Sequence, residues 1–304
     1  MKLAYVITAH RNPRQLRRLL ERIRQPGNTY VLHVDKAAPT DVHAAAREFA
    51  ANAPNAAVIP PERIIWGSWR LAHAQIRGVA EALRLSSDWQ YCINLTGQDY
   101  PLRTQTEIAA ALAAGPAGAN YLEVLDFDNA GANPRKRLEF YWVPWRGRMI
   151  KLFRRRRAPS FKVYWGSNYF CLTRAACEYL ATSTVARDMQ RAFRFTLCAD
   201  ELIFQNAIVH GPASLRDSVV GKTWRKLTWA GGPHPRTYTS ADLDDLLASD
   251  AWFARKFDES VDANALDALD QHLDQPAAVS SRGSLGDRGI STSHTILDPE
   301  IPRS

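Results

Sequence analysis

Cysteine is scarce, with four in 304 residues (Cys92, Cys171, Cys177 and Cys198), and no pair has Cys-x-x-Cys spacing. That excludes a disulfide-stapled scaffold and a cysteine-ligated zinc module. No run of about 18 uncharged apolar residues occurs, so no segment reads as a membrane-spanning helix. The stretch Met1 to His10 has an apolar core too short for a signal peptide and meets charge at Arg11. With thiols expected to stay reduced, the expectation is a cytoplasmic protein. GxxxxGK(S/T), a strand-linked GxGxxG and HExxH are also missing, which removes P-loop, classical dinucleotide and zinc-protease chemistry.

What is present suits a packed core. Hydrophobic residues make up 46%, charged residues 23%, and there are nine Trp, ten Tyr and eleven Phe. The excess of 39 Lys and Arg over 31 Asp and Glu points to an anionic partner, but nucleic acid, lipid headgroups and sugar nucleotides fit equally. The cations are segregated. Arg135 to Arg157 holds ten of them against Glu139, whereas Asp242 to Asp274 holds ten acids against Arg255 and Lys256.

Leu3–Ala9 and Tyr30–Val34 read as buried strands, separated by a segment whose Leu16, Leu19, Leu20 and Ile23 recur at helical spacing. Asn12-Pro13 starts that helix and Pro26-Gly27 stops it. A helix over 44–51, a strand over 57–60, a helix over 71–85 and a strand over 89–95 continue the alternation. The expected fold is α/β with a mostly parallel central sheet flanked by helices. One domain over 1–274 is expected, followed by a disordered tail over 275–304 rich in Ser, Gly, Pro and charge. Ligands of such sheets sit beyond the carboxyl ends of strands, which selects the loops after Ala9, Val34 and Leu95.

Four motifs admit two readings each. Asp126-Phe127-Asp128 is either a metal-holding acidic pair or a solvated strand end. Asp200-Glu201 at a helix start either caps that helix, with Asp200 near the N-cap, or supplies a general base. Trp165-Gly166-Ser167-Asn168 either lets a ligand approach the backbone or belongs to the core, and Trp66, Trp224, Trp229 and Trp252 are open in the same way. Arg236 and Lys256 flank an acidic helix, with Ser240 as its expected N-cap, and either clamp a diphosphate or pair with surface acids such as Asp250 and Asp258.

Taken in order, the segments Ala4–His10, His33–Lys36, Ile65–Ser68, Ile93–Thr104, Gly166–Phe170, Asp200-Glu201 and Phe253–Asp258 resemble the core-2/I-branching β-1,6-N-acetylglucosaminyltransferase family, which includes the peptide O-xylosyltransferases. The resemblance implies a GT-A-like fold, a UDP-sugar donor, inversion at the anomeric carbon and no metal or other cofactor. It implies Glu201 as catalytic base, and Arg236 and Lys256 as the cations on the donor diphosphate. Ala9, Asp35 and Trp66 fall on the nucleotide-binding segments and Asp99 near the transferred sugar, while Glu123, Arg135, Ser167 and Trp229 fall on the acceptor side. The sugar is either N-acetylglucosamine or xylose, and the acceptor is a glycan or other hydroxyl.

Arg154 to Arg157, following Met149 to Phe153, either line the acceptor rim or make a peripheral contact with anionic lipid. A basic nucleic-acid-binding protein is the rival class, opposed by the acidic C-terminal third and the lack of a nucleic-acid motif. A catalytically silent carbohydrate-binding relative is the third.

Overall fold

The structure, a computed structural model, describes residues 1–231 and 234–275. Strand β1 (Leu3–Ala9) is buried along its length, and helix α1 (Pro13–Arg22) follows with Pro13 at the first turn, where its missing N–H costs nothing. Next come β2 (Thr29–Val34), α2 (Thr40–Ala51), β3 (Ala56–Val58), α3 (Arg70–Leu85), β4 (Tyr91–Thr96), β5 (Asp99–Pro101) and α4 (Gln105–Ala114). The middle of the chain forms β6 (Asn120–Leu122), β7 (Leu125–Asp126), α5 (Ala132–Glu139), β8 (Phe140–Trp145), β9 (Arg148–Arg154), β10 (Tyr164–Trp165) and β11 (Phe170–Thr173). The remainder is α6 (Arg174–Thr182), α7 (Thr184–Phe193), α8 (Ile203–Val209), α9 (Ala213–Arg216), β12 (Val219–Val220), β13 (Arg225–Leu227), α10 (Leu243–Ala248), β14 (Phe253–Arg255) and α11 (Ala263–Asp274).

The central sheet has the order β12-β6-β11-β4-β1-β2-β3. Only β11 runs against its neighbours; the other pairings in this sheet are parallel. Alternation along β1 sends Leu3, Tyr5, Ile7 and Ala9 to a core shared with Leu16, Leu19 and Leu20 of α1 and Val42 and Ala45 of α2. Ala4 and Val6 face the opposite core, with Ala72, Val79 and Ala82 of α3 and Cys177 and Leu180 of α6. The expected α/β architecture with helices on both faces is therefore what forms.

A second, small sheet, β13-β14-β5, fixes the site. β14 runs antiparallel to β5, with Arg255 opposite Asp99 and Ala254 opposite Tyr100. The far end of the polypeptide thereby returns to the loop that follows β4. Farther on, acids of α11 pair with the arginines of α1: Arg18 with Asp267 and Asp270, and Arg22 with Asp270 and Asp274. The segregated C-terminal acids thus neutralise an N-terminal basic helix.

Two expected boundaries move. The helix placed over 44–51 begins at Thr40, directly after Pro39. Ser240 does not cap: Thr239 accepts from the Asp242 backbone while Asp242 reaches back to the Thr239 N–H, because this pair has the spacing of a capping box. The tail expected beyond 275 lies outside the described residues.

Candidate active site

A cavity of about 670 Å³ opens where β1, β2 and β4 end, so all three loops selected from the sequence reach it. Its walls include Ala9 to Arg11, Asp35, Arg63 to Gly67, Ser167 to Tyr169, Cys198, Glu201, Trp229 and Lys256.

Part of the lining is cationic. Lys256 and Arg255 arrive from β14, Arg11 from the end of β1, and His10 and His234 lie with them on the lining. Asp258 makes no ion pair with Lys256 and only partly offsets its neighbours, its carboxylate being engaged by Asn12, by Ser260 and, at 3.3 Å, by Arg11. Asp250 is likewise engaged by Lys222. Among the described residues Lys256 has no ion-pair partner, and burial followed by the charges of Arg11 and Arg255 pulls its pKa down. His10 and His234 are also pushed down, by burial first and then by neighbouring cations. A lysine and two histidines pushed down by burial and by neighbouring cations in a cleft are relieved by a bound anion. Beside it Trp66, 52% exposed, sets its indole edgewise to His234 at 5.5 Å.

The same lining also holds carboxylates, Asp200 and Glu201. Cys198 takes a left-handed conformation (φ 55°) and donates its N–H to the Gly67 carbonyl at 2.7 Å, and a short 3-10 turn, Ala199–Glu201, follows. Asp200 is buried, accepts from Asn168 Nδ2 at 2.9 Å, and is pushed up to about 7 by burial and then by the adjacent Glu201 charge. Glu201 keeps 32% of its side chain accessible and accepts from Arg137 Nη1 at 2.5 Å through Oε2. Burial raises its pKa, Arg137 opposes that, and Glu123 adds to it. Both acids line the cavity and both are raised, but Glu201 is the more accessible, with Asp200 only 7% exposed. Neither carboxylate caps α8, whose first turn receives no side-chain bond, so the capping reading gives way to one of site geometry.

Gly166 explains how this part is held. Its N–H donates to the Glu201 carbonyl at 3.0 Å, and a Cβ there would lie 2.1 Å from the Glu123 carbonyl oxygen. The glycine therefore serves the close approach of two stretches of the chain itself, rather than of a ligand. Ser167 N–H donates to Glu123 Oε2 at 2.8 Å, and Gln205 Nε2 donates to the Ser167 carbonyl at 2.8 Å.

The cavity lining brings together Ala9, Asp35, Trp66, Ser167, Trp229, Glu201 and Lys256. Within it, Asp35 braces the wall, accepting from the Ala37 and Ile64 N–H groups at 2.7 and 2.8 Å. Four expected residues lie outside the lining. Asp99 is fully buried, accepts from the Thr96 N–H at 2.6 Å, and faces Arg225 at 3.9 Å and Arg255 at 3.6 Å, so it positions cations from behind. Glu123 is engaged with Ser167. Arg236 is held by both oxygens of Asp242, and Arg11 and Arg255 share the lining with Lys256. Arg135 is exposed and donates to the Asp128 carbonyl, and the arginine that reaches Glu201 is Arg137. Asp126 pairs with Lys162 at 2.7 Å and accepts the Asp128 N–H, as a strand end does. Trp224 and Trp252 stack at 4.5 Å inside the core.

A family model described as Core-2/I-Branching enzyme matches residues 3–248. The chain belongs to the core-2/I-branching enzyme family. Among curated members, xylosyltransferase 2 of Mus musculus is 29% identical over 294 residues, covering 90% of this chain and 34% of that one. The β-1,3-galactosyl-O-glycosyl-glycoprotein β-1,6-N-acetylglucosaminyltransferase of Bos taurus is 26% identical over 299 residues, covering 89% of this chain and 69% of that one. This core-2/I-branching chain thus spans about a third of the length of the xylosyltransferases it matches. The galactosyltransferase LgtC, solved in complex with donor and acceptor sugar analogs, superposes on 91% of this chain with a TM-score of 0.43 and 7% identity, too loose a likeness to carry an argument.

Proposed function

We propose that the chain is an inverting glycosyltransferase that moves N-acetylglucosamine or xylose from a UDP-sugar to an acceptor hydroxyl and needs no metal ion. The observation that carries this reading is one cavity lined both by Glu201 and by a group of cations, Lys256, Arg255 and Arg11, of which Lys256 has no ion-pair partner among the described residues. Glu201 removes the acceptor proton as the acceptor oxygen attacks the anomeric carbon, and the bond to the nucleoside diphosphate breaks on the opposite face. The glycosidic oxygen keeps its electron pair on the departing phosphate, and a β-glycoside results from an α-linked donor. Lys256 and Arg255 neutralise charge that grows on the leaving phosphate in a site already arranged to receive it. Trp66, half exposed beside the cations, offers a face to the nucleotide base or sugar, and Ser167 and Trp229 stand on the acceptor side.

Substitution Glu201→Gln keeps shape and removes the base. Transfer by this variant is expected to fall by about 10²–10⁴-fold, with UDP affinity within about twofold of the parent. Radiolabelled UDP-sugars with a panel of hydroxyl acceptors give the first readout and titration calorimetry the second. Ordinary turnover in Glu201→Gln would dismiss the base, and UDP binding without transfer in the parent would identify a silent relative.

A further inference from the structure

The hairpin of β8 and β9 carries an apolar and basic surface that the transfer reaction does not use. Its inner side is anchored: Trp142 is buried against Leu197 and Cys198, with Phe140 and Met149 packed on them. Its outer parts are bare. Pro144 to Arg148 and Lys151 to Arg154 are two unbroken exposed stretches, with Trp145 58%, Leu152 41% and Phe153 70% accessible. Phe195, 41% exposed, extends the same patch through Tyr141, which lies 5.3 Å from Phe153 and 6.4 Å from Phe195. No acid occurs between Phe140 and Cys177. Arg146, Arg148, Lys151, Arg156 and Arg157 have no carboxylate partner among the described residues.

We propose that this hairpin, with the arginine run behind it, docks on the surface of an anionic lipid bilayer. Cations alone would suit any polyanion. Exposed Trp, Phe and Leu interleaved with unpaired Arg and Lys suit the boundary between headgroups and acyl chains, where aromatic rings embed and cations remain with lipid phosphate. The geometry also gives the contact a purpose: Gly147 at the hairpin turn lines the cavity, so docking holds the cavity mouth at headgroup level. Vesicle binding does not depend on the transfer chemistry, and either can fail without the other.

The test is co-sedimentation of the full chain with vesicles of phosphatidylcholine alone and of phosphatidylcholine mixed with phosphatidylglycerol. Binding is expected only to the anionic vesicles and is expected to weaken with salt. The double variant Trp145→Ser with Phe153→Ser is expected to lose at least about tenfold in partitioning, and removing three cations with Arg148→Gln, Arg156→Gln and Arg157→Gln about a hundredfold. Near-UV circular dichroism and the melting temperature check that these surface variants keep the fold. As a second measurement, brominated acyl chains are expected to quench the fluorescence of the parent and to quench Trp145→Phe less. Absence of binding to anionic vesicles overturns the proposal. Binding that the aromatic variant leaves unchanged, and that soluble heparin matches, also overturns it, since it would mark a general polyanion surface.

Discussion

At the scale of single residues, Glu201 and Asp200 show how one turn gives two carboxyls separate tasks. Both line the cavity, Glu201 the more exposed and beside Arg137, Asp200 nearly buried and bonded to Asn168. Arg137 holds the Glu201 pKa below where burial alone would place it. Arg137→Gln should therefore move the acidic limb of the kcat/KM profile to higher pH, as seen in a pH-rate series. An unmoved limb would show that Arg137 only packs. Asp200 has the opposite consequence for stability. Its folded pKa of about 7 exceeds the value of about 3.9 usual for an aspartate in an unfolded chain, so the native state holds the proton more tightly. Its contribution is fully present below about pH 4 and is lost as pH rises through about 7. Asp200→Asn should consequently gain thermal stability over the parent at pH 8 relative to pH 5, measured as the difference in melting temperature. The sequence shows both acids but not this division, which depends on burial. Arg137 carries no signal of its own in the sequence, since only helical phase separates it from Arg135 and Lys136 on α5.

Among elements, legibility follows periodicity. β1, β2, α3 and β4 carry long apolar patterns and form where the pattern places them, with ends within a few residues. The strands β5, β13 and β14 have three residues each, too few for a period, and the pairing of β14 with β5 joins positions more than 150 residues apart. Gly166 belongs to this scale because it lets the segment before β11 lie on the backbone at Glu123. Gly166→Ala puts a methyl 2.1 Å from a carbonyl oxygen that cannot rotate away. It should cost about 2–3 kcal/mol, read as a lower denaturant midpoint with unchanged slope, and transfer should fall with it because the Glu201 carbonyl bond is broken. An alanine variant of parental stability would show that the two segments are not held so closely.

For the whole molecule, the site depends on the chain's return. The sheet supplies the loops after β1, β2 and β4, which topology alone selects, and β14 pairs with β5 to carry Arg255 and Lys256 to the same opening. The acidic C-terminal segment, which in sequence looks like a counterweight to the basic middle, instead pairs with α1. Of the cations on the cavity lining, Arg11 meets Asp258 and Arg255 meets Asp99, while Lys256 has no ion-pair partner among the described residues.

The measurement that tests this most directly is calorimetric titration of UDP into the protein with a chelator present, repeated with Lys256→Ala. The account predicts the same affinity with and without chelator, and a loss of about tenfold or more in the variant, the usual consequence of removing a charge-assisted contact. Binding that vanishes with chelator and returns with a divalent cation, or a Lys256→Ala variant that binds UDP as the parent does, would contradict it.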